Sequence, residues 1–229
     1  MDMALYHPKL GYYSSPGKKI GKEGDFYTSP HLHPIFGAMI AKQFISMWAI
    51  MGKPKKFFAV EMGAGAGYLC KDILDYLKRP SEDPALSQDK NDFLNSLKYV
   101  IVEPYSHFKK GQAELLEDHK KDIKWVTSLT KLNKNIEGCF FSNELFDAFP
   151  VHIVEMEDEF REVYITHNSS GFAEVKNRPG SGEITDYIRQ HFGDMQQGFR
   201  TEINLRIRKC LKDISAKLSN GFILTIDYG

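Results

Sequence analysis

A short apolar run, Phe57-Phe58-Ala59-Val60, leads directly into Glu61-Met62-Gly63-Ala64-Gly65-Ala66-Gly67, and this junction constrains the fold more than any other stretch. Consecutive apolar residues closed by a turn read as a strand buried on both faces. Glycines at alternate positions let the backbone turn tightly and let another group approach it without meeting a Cβ. Beyond the turn, Leu69, Ile73, Leu74 and Leu77 recur at spacings of three and four until Pro80, which predicts a helix. The free N–H groups and the field at the start of such a helix favour a carboxylate or phosphate.

The unit then repeats. Tyr99-Val100-Ile101-Val102 ends in Glu103-Pro104 and is followed by a helical pattern through Phe108, Ala113, Leu115 and Leu116. Further strands are expected at 123–126 and 138–142, the second ending in Asn143-Glu144-Leu145-Phe146-Asp147-Ala148-Phe149-Pro150. Strands alternating with helices predict an α/β fold with a doubly wound, mostly parallel sheet. The alternation stops at 151–175, where Val151, Ile153, Val154, Val163, Ile165 and Phe172 flank an acidic turn and predict a β-meander. A polar stretch follows, then a helix over 202–218 and a last strand over 222–226. The expected organisation is a nucleotide-binding core of residues 1–150 and 201–229, with 151–200 inserted as a β-meander/helical substrate-binding or lid region.

Residues 79–95, with two prolines and many polar residues, read as a surface loop, and the glycine- and proline-rich opening 1–30 as loop with short extended pieces. That opening holds Tyr6, Tyr12, Tyr13, Phe26 and Tyr27, too aromatic for a solvated tail, so it is expected to pack over the fold. A helix is predicted over 31–51; Lys42, Gln43 and Ser46 interrupt its apolar residues and rule it out as a membrane span. Lys+Arg and Asp+Glu both number 30, so no global charge argues for a nucleic-acid or membrane-surface partner. Cys70, Cys139 and Cys210 are scattered, as suits buried thiols in a reducing compartment. Met1 is not followed by the basic and apolar regions of a secretory signal.

The glycine spacing bears on the ligand. A dinucleotide fingerprint needs a third glycine where Tyr68 stands, whereas the actual third glycine is Gly67. Glu103, at the end of the second strand, is placed to accept both hydroxyls of a ribose, although an acid there also ends a strand in solvent. Asn143, Glu144 and Asp147 follow another strand at the carboxyl edge of the sheet, where open α/β folds bind ligands. Paired carboxylates there can orient a guanidinium and stabilise its charge, or simply decorate a helix N-terminus. Glu202 and Asn204, at the start of the late helix, are weaker candidates. His7, His31 and His33 have no cysteine or carboxylate at ligand spacing, and no metal is assigned.

The pattern Glu61-x-Gly63-x-Gly65-x-Gly67 resembles the first motif of class I methyltransferases. Taken with Ala4-Leu5-Tyr6-His7-Pro8, Gly11-Tyr12-Tyr13, Gly24 to Pro30, Asn143-Glu144 with Asp147-Ala148 and Pro150, Glu202-Ile203-Asn204 and Ile226-Asp227-Tyr228-Gly229, it is similar to the MidA-like methyltransferases. Their relatives include a mitochondrial arginine-methylating assembly factor of respiratory complex I. The resemblance implies S-adenosylmethionine as cofactor, held by Glu61, Gly63, Gly65, Gly67 and Glu103 with Thr28, Ser29 and Pro30 nearby. It also implies a protein arginine as acceptor at Asn143, Glu144 and Asp147, and a location in a bacterial cytoplasm or the mitochondrial matrix. Family members usually extend beyond both ends of this chain and have a seven-stranded sheet, of which five strands are expected here, so a truncated core is anticipated. A scaffolding protein on the same fold and a small-molecule methyltransferase are the rival readings.

Overall fold

The structure, a computed structural model, describes residues 1–15 and 33–227. Thr28, Ser29 and Pro30 lie outside the described residues. A short helix α1 (Asp2–Tyr6) stands where the opening reads as loop, and helix α2 (Ile35–Ile50) follows. Strand β1 (Phe57–Met62), the glycine turn and α3 (Tyr68–Lys78) come in the expected order. Next are β2 (Leu97–Val102), α5 (Ser106–Leu115), β3 (Ile123–Val126) and β4 (Ile136–Asn143), with α4 (Pro84–Ser96) before β2.

Helix α4 corrects the expected surface loop. Pro84 opens the helix rather than breaking one, because a proline at the first helical position lacks only an N–H that would be unpaired there. Asp83 caps it, its side chain accepting from the N–H groups of Ala85 and Leu86. Phe93 anchors it, fully buried with its ring 5.4 Å from that of Phe57 and 5.7 Å from that of Trp48.

The last strand, β9 (Leu218–Ile226), completes a five-stranded sheet in the order β3-β2-β1-β4-β9, and every pair in it is parallel. The chain leaves β1 toward β2 and β3, then returns to lay β4 and β9 on the other side, so β1 and β4 flank the point where the winding reverses. Such a switch point leaves a crevice beyond the carboxyl ends of the strands. Register brings Met62 opposite both Val102 and Ser142, which sets Gly63, Glu103 and Asn143 side by side along that edge. One face of the sheet packs Phe57, Ala59, Tyr99, Ile101, Cys139 and Phe141 against α2, α3 and α4; the other packs Val60, Val100, Val102, Val126 and Phe140 with Ile214. Both faces are covered, as the continuous apolar runs require.

The meander forms β5 (His152–Met156), β6 (Phe160–Asn168) and β7 (Gly171–Asn177), all antiparallel. The helical part expected of the insertion is α6 (Gly182–His191), which covers the meander with Ile184 and Ile188 on Val154 and Ile203. Its start is capped by Ser181. The predicted helix over 202–218 is shorter than expected. Arg200–Ile203 forms β8, which pairs with β5, and the helix α7 is Leu205–Ser215. Glu202 therefore lies in a strand, while Asn204 caps α7 through Ile207 N–H at 3.1 Å. Among the described residues no helix is long and apolar enough to cross a membrane.

Candidate active site

The carboxyl edge of the parallel sheet opens into a cavity of about 470 Å³. The glycine turn, Glu61, Glu103, Asn143, Glu144 and Asp147 line it, with Tyr6, Tyr13, Tyr105, Phe108 and Phe149 as aromatic walls. Four stretches far apart in sequence thus converge on one site. The volume is in the range of small-molecule and cofactor sites.

Gly63, Gly65 and Gly67 have φ of +70, +55 and +93°. Side chains are strained there, and a Cβ at Gly63 would fall 2.8 Å from Leu145 Cδ1. The turn presents bare backbone to the cavity and starts α3 with no side-chain cap.

Glu61 and Glu103 are both almost fully buried. Glu61 accepts a hydrogen bond from the Tyr99 hydroxyl at 2.6 Å, yet burial pushes its carboxyl up to about 7. Glu103 accepts at one oxygen from Tyr105 N–H and at the other from Gln112 Nε2, both at 3.0 Å; burial pushes it also to about 7, against those two donors.

A buried acid of this kind makes stability depend on pH. From its ordinary value of 4.5 up to about 7, Glu61 holds more proton in the folded chain than in the unfolded one, so stability falls as pH rises through that window. Glu61→Gln, which mimics the protonated acid and can still accept from Tyr99, is expected to melt higher than wild type at pH 8. The gain should be on the order of 3 kcal/mol at that pH and vanish below pH ~4.5. Thermal melts of the ligand-free proteins across pH check this; parallel pH profiles would mean that the buried acid is not the cause.

The segment after β4 is held from the far edge of the sheet. Glu144, at φ +49°, donates its N–H to Ile226 O at 2.7 Å. Asp227 accepts the N–H groups of Phe146 and Asp147 at 3.0 and 3.3 Å. Burial and then the Asp227 charge raise the Asp147 carboxyl above its ordinary range. Asn143 Oδ1 is buried without a hydrogen-bond partner among the described residues. From the chain's beginning, the Tyr6 hydroxyl donates to Ala148 O at 2.7 Å, and its ring stacks on Tyr13 at 5.5 Å. Arg206 lies over the Tyr6 ring and pairs with Asp2.

Glu202 and Asn204 do not line the cavity, although Asn204 Nδ2 reaches Phe146 O at 3.4 Å. Tyr99, Gln112 and Asp227 were not read from the residues as parts of the site. Asp227 carried a signal, since it follows the last strand, whereas nothing local marks a tyrosine inside an apolar strand or a glutamine inside a helix.

Among the described residues, four acids and one arginine line the cavity, and the arginine already has a carboxylate partner. That balance favours a cation and opposes a pyrophosphate. Glycine turn, buried acid for a ribose and cation-favouring lining together fit a sulfonium nucleoside carrying an amino-acid tail.

Residues 39–229 match the model of a family described as "Putative S-adenosyl-L-methionine-dependent methyltransferase". The chain is 30% identical over 183 residues to the mitochondrial Protein arginine methyltransferase NDUFAF7 homolog of Drosophila melanogaster, covering 76% of this chain and 42% of that protein. It is 42% identical over 178 residues to the mitochondrial Protein arginine methyltransferase NDUFAF7 of Rattus norvegicus, covering 72% and 40%. A Burkholderia thailandensis protein described as a "COG1565 superfamily member and likely methyl transferase" bound to S-adenosyl-homocysteine superposes on the whole chain and on 56% of its own, with a TM-score of 0.79 at 25% identity. The chain spans about two fifths of the length of these two curated relatives.

Proposed function

The chain belongs to this family of S-adenosyl-L-methionine-dependent methyltransferases, and from that premise we propose that it binds S-adenosylmethionine beside the glycine turn and methylates a protein arginine. The observation that carries the reading is the join between the two halves of one cavity. Its Gly63-to-Gly67 and Glu103 side suits the nucleoside, and its Asn143, Glu144 and Asp147 side suits a cationic nitrogen acceptor.

When bound, the cofactor supplies a methyl group on a positively charged sulfur, which a nitrogen lone pair displaces in line. Glu103 would hold the ribose hydroxyls through its carboxylate. The bare N–H groups at the start of α3 would hold the cofactor's carboxylate. Asn143 offers its unpartnered Oδ1 to an N–H of cofactor or acceptor. Glu144 and Asp147 orient the guanidinium and stabilise its charge until a proton leaves, and the raised carboxyl of Asp147 suits it to receive that proton. Tyr13 adds an aromatic face that attracts a planar cation, whereas the Tyr6 ring already carries Arg206. Thr28, Ser29 and Pro30 complete the cofactor side in this reading.

Residues 151–200, beside the acceptor side in sequence, are where substrate choice is written, and a subunit of respiratory complex I is the first substrate to test. The relatives' mitochondrial names favour the matrix over a bacterial cytoplasm.

Calorimetric titration with S-adenosylhomocysteine should give saturable binding that Gly65→Val weakens by at least about a hundredfold, since a branched Cβ at φ +55° both strains the turn and fills the approach to it. A folded wild-type chain that binds nothing would overturn the reading. Binding without methyl transfer to any protein would favour a scaffolding role instead.

A further inference from the structure

Gln112 is the most constrained polar side chain around the cavity. It is fully buried on α5. Its Nε2 donates to Gly65 O at 2.9 Å and to Glu103 Oε2 at 3.0 Å, while its Oε1 accepts from Trp125 Nε1 at 3.0 Å. The indole N–H can only donate, so it fixes which end of the amide is oxygen and leaves both amide hydrogens for the two acceptors. Its Cγ also lies 3.4 Å from where a Cβ of Gly67 would be, so the side chain closes the outside of the glycine turn.

A buried amide costs stability unless it is satisfied, and an apolar side chain would fill the same space between β3 and the turn more cheaply. Retaining a glutamine here makes sense if its bonds serve the groups it touches. Those groups are the carbonyl in the middle of the glycine turn and the acid at the end of β2. No other side chain among the hydrogen bonds of the described residues links them.

We propose that Gln112 is the positioning residue of the cofactor site, locking the glycine turn to Glu103 so that the seats for the amino-acid tail and the ribose keep one fixed separation. The inference rests on the cofactor reading above. Gln112 acts through Glu103: it turns one carboxylate oxygen, holds it still, and helps keep the acid ionised in a buried place. An ionised, immobile carboxylate can accept two ribose hydroxyls; a protonated or rotating one accepts fewer.

The test is titration of S-adenosylhomocysteine into wild type, Gln112→Met, Glu103→Gln and the double variant, each first shown to be folded by circular dichroism. Methionine keeps the length and bulk and removes the hydrogen bonds. Each single change is expected to weaken binding about tenfold or more at pH 8. The double variant should be little worse than Glu103→Gln alone, because Gln112 acts through that acid.

The pH profile separates positioning from mere packing. Wild-type binding should weaken as pH falls through about 7, where Glu103 takes up its proton. With Gln112→Met that weakening should begin at higher pH, because the carboxylate has lost a donor that favours its charged form. Glu61 lines the same cavity and also titrates near 7, and Tyr105 and His107 stand beside Glu103 at the start of α5. A Glu61→Gln background therefore assigns the limb that moves. Should Gln112→Met fail to fold, Gln112→Glu keeps the shape and the bond from Trp125. It should bind poorly at pH 8, where two carboxylates face each other, and recover at pH 6, opposite to wild type.

Losses that add in the double variant, or a pH profile that Gln112→Met leaves unmoved, would overturn the proposal. Wild-type chain that binds no S-adenosylhomocysteine would overturn the cofactor reading and this one with it.

Discussion

Replacing Glu144 by glutamine is expected to lower methyl transfer by at least about a hundredfold while S-adenosylhomocysteine affinity stays within about twofold of wild type. The substitution preserves shape and removes a charge where a guanidinium is to be held. Its backbone N–H to Ile226 O does not depend on the side chain, so the segment should keep its place. A loss confined to turnover identifies a group that works on the acceptor during the reaction. Loss of cofactor affinity instead would move Glu144 to the nucleoside side. The assay is transfer of labelled methyl groups to arginine in lysate proteins whose endogenous methylation has been blocked; unchanged turnover would remove Glu144 from the catalytic role. Asp147→Asn, measured alongside, reports whether the two acids act as a unit, in which case their effects will not add.

Gly138→Ala is expected to destabilise the fold by at least about 3 kcal/mol, a large part of the roughly 5–15 kcal/mol that holds a typical domain together. Gly138 sits in β4 between β1 and β9, opposite Phe58 on one side and Gly221 on the other. Its φ is +146°, and a Cβ there would lie 2.1 Å from Phe58 O. A Cβ at Gly221 would in turn lie 1.9 Å from Gly138 O. Those atoms are backbone in the middle of a ladder, so relief means separating strands that carry the crevice at their ends. Gly52→Ala is the control, since it has a φ of +79° but nothing within 4 Å of the added methyl; it should cost only about 1–2 kcal/mol. Urea unfolding of the variants measures both. A cost for Gly138→Ala no larger than that of Gly52→Ala would refute the close-approach account.

The places where sequence and structure part follow a pattern. Pro84 and the polar residues around it read as a loop because prolines break helices, whereas its position after Asp83 makes it a helix start. Glu202 and Ile203 read as the start of a helix because a four-residue strand has no period of its own, and only its partner β5 reveals it. The bounds of α6 are not legible in the residues because the helix is polar and few of its residues are buried.

Elsewhere the residues were sufficient. Apolar runs of strand length, the first two closed by a glycine turn or an acid and followed by spacings of three and four, determined the order β1, α3, β2, α5, β4 and β9 and the parallel sheet. Alternating Gly63, Gly65 and Gly67, with Glu103 one unit later, marked the edge where a ligand would approach. These signals are local, and local conformation and burial are what a single sequence encodes most directly.

Only the tertiary structure decided which side chains meet at that edge. Gln112 finds Gly65 across 47 positions of sequence, Tyr99 finds Glu61 across 38, and Tyr6 finds Ala148 across 142. Neither Gln112 nor Tyr99 stands out where it sits, because a buried polar group declares its purpose only through its partner. Partners are brought together by the packing of whole elements, whose relative placement no run of neighbouring residues contains.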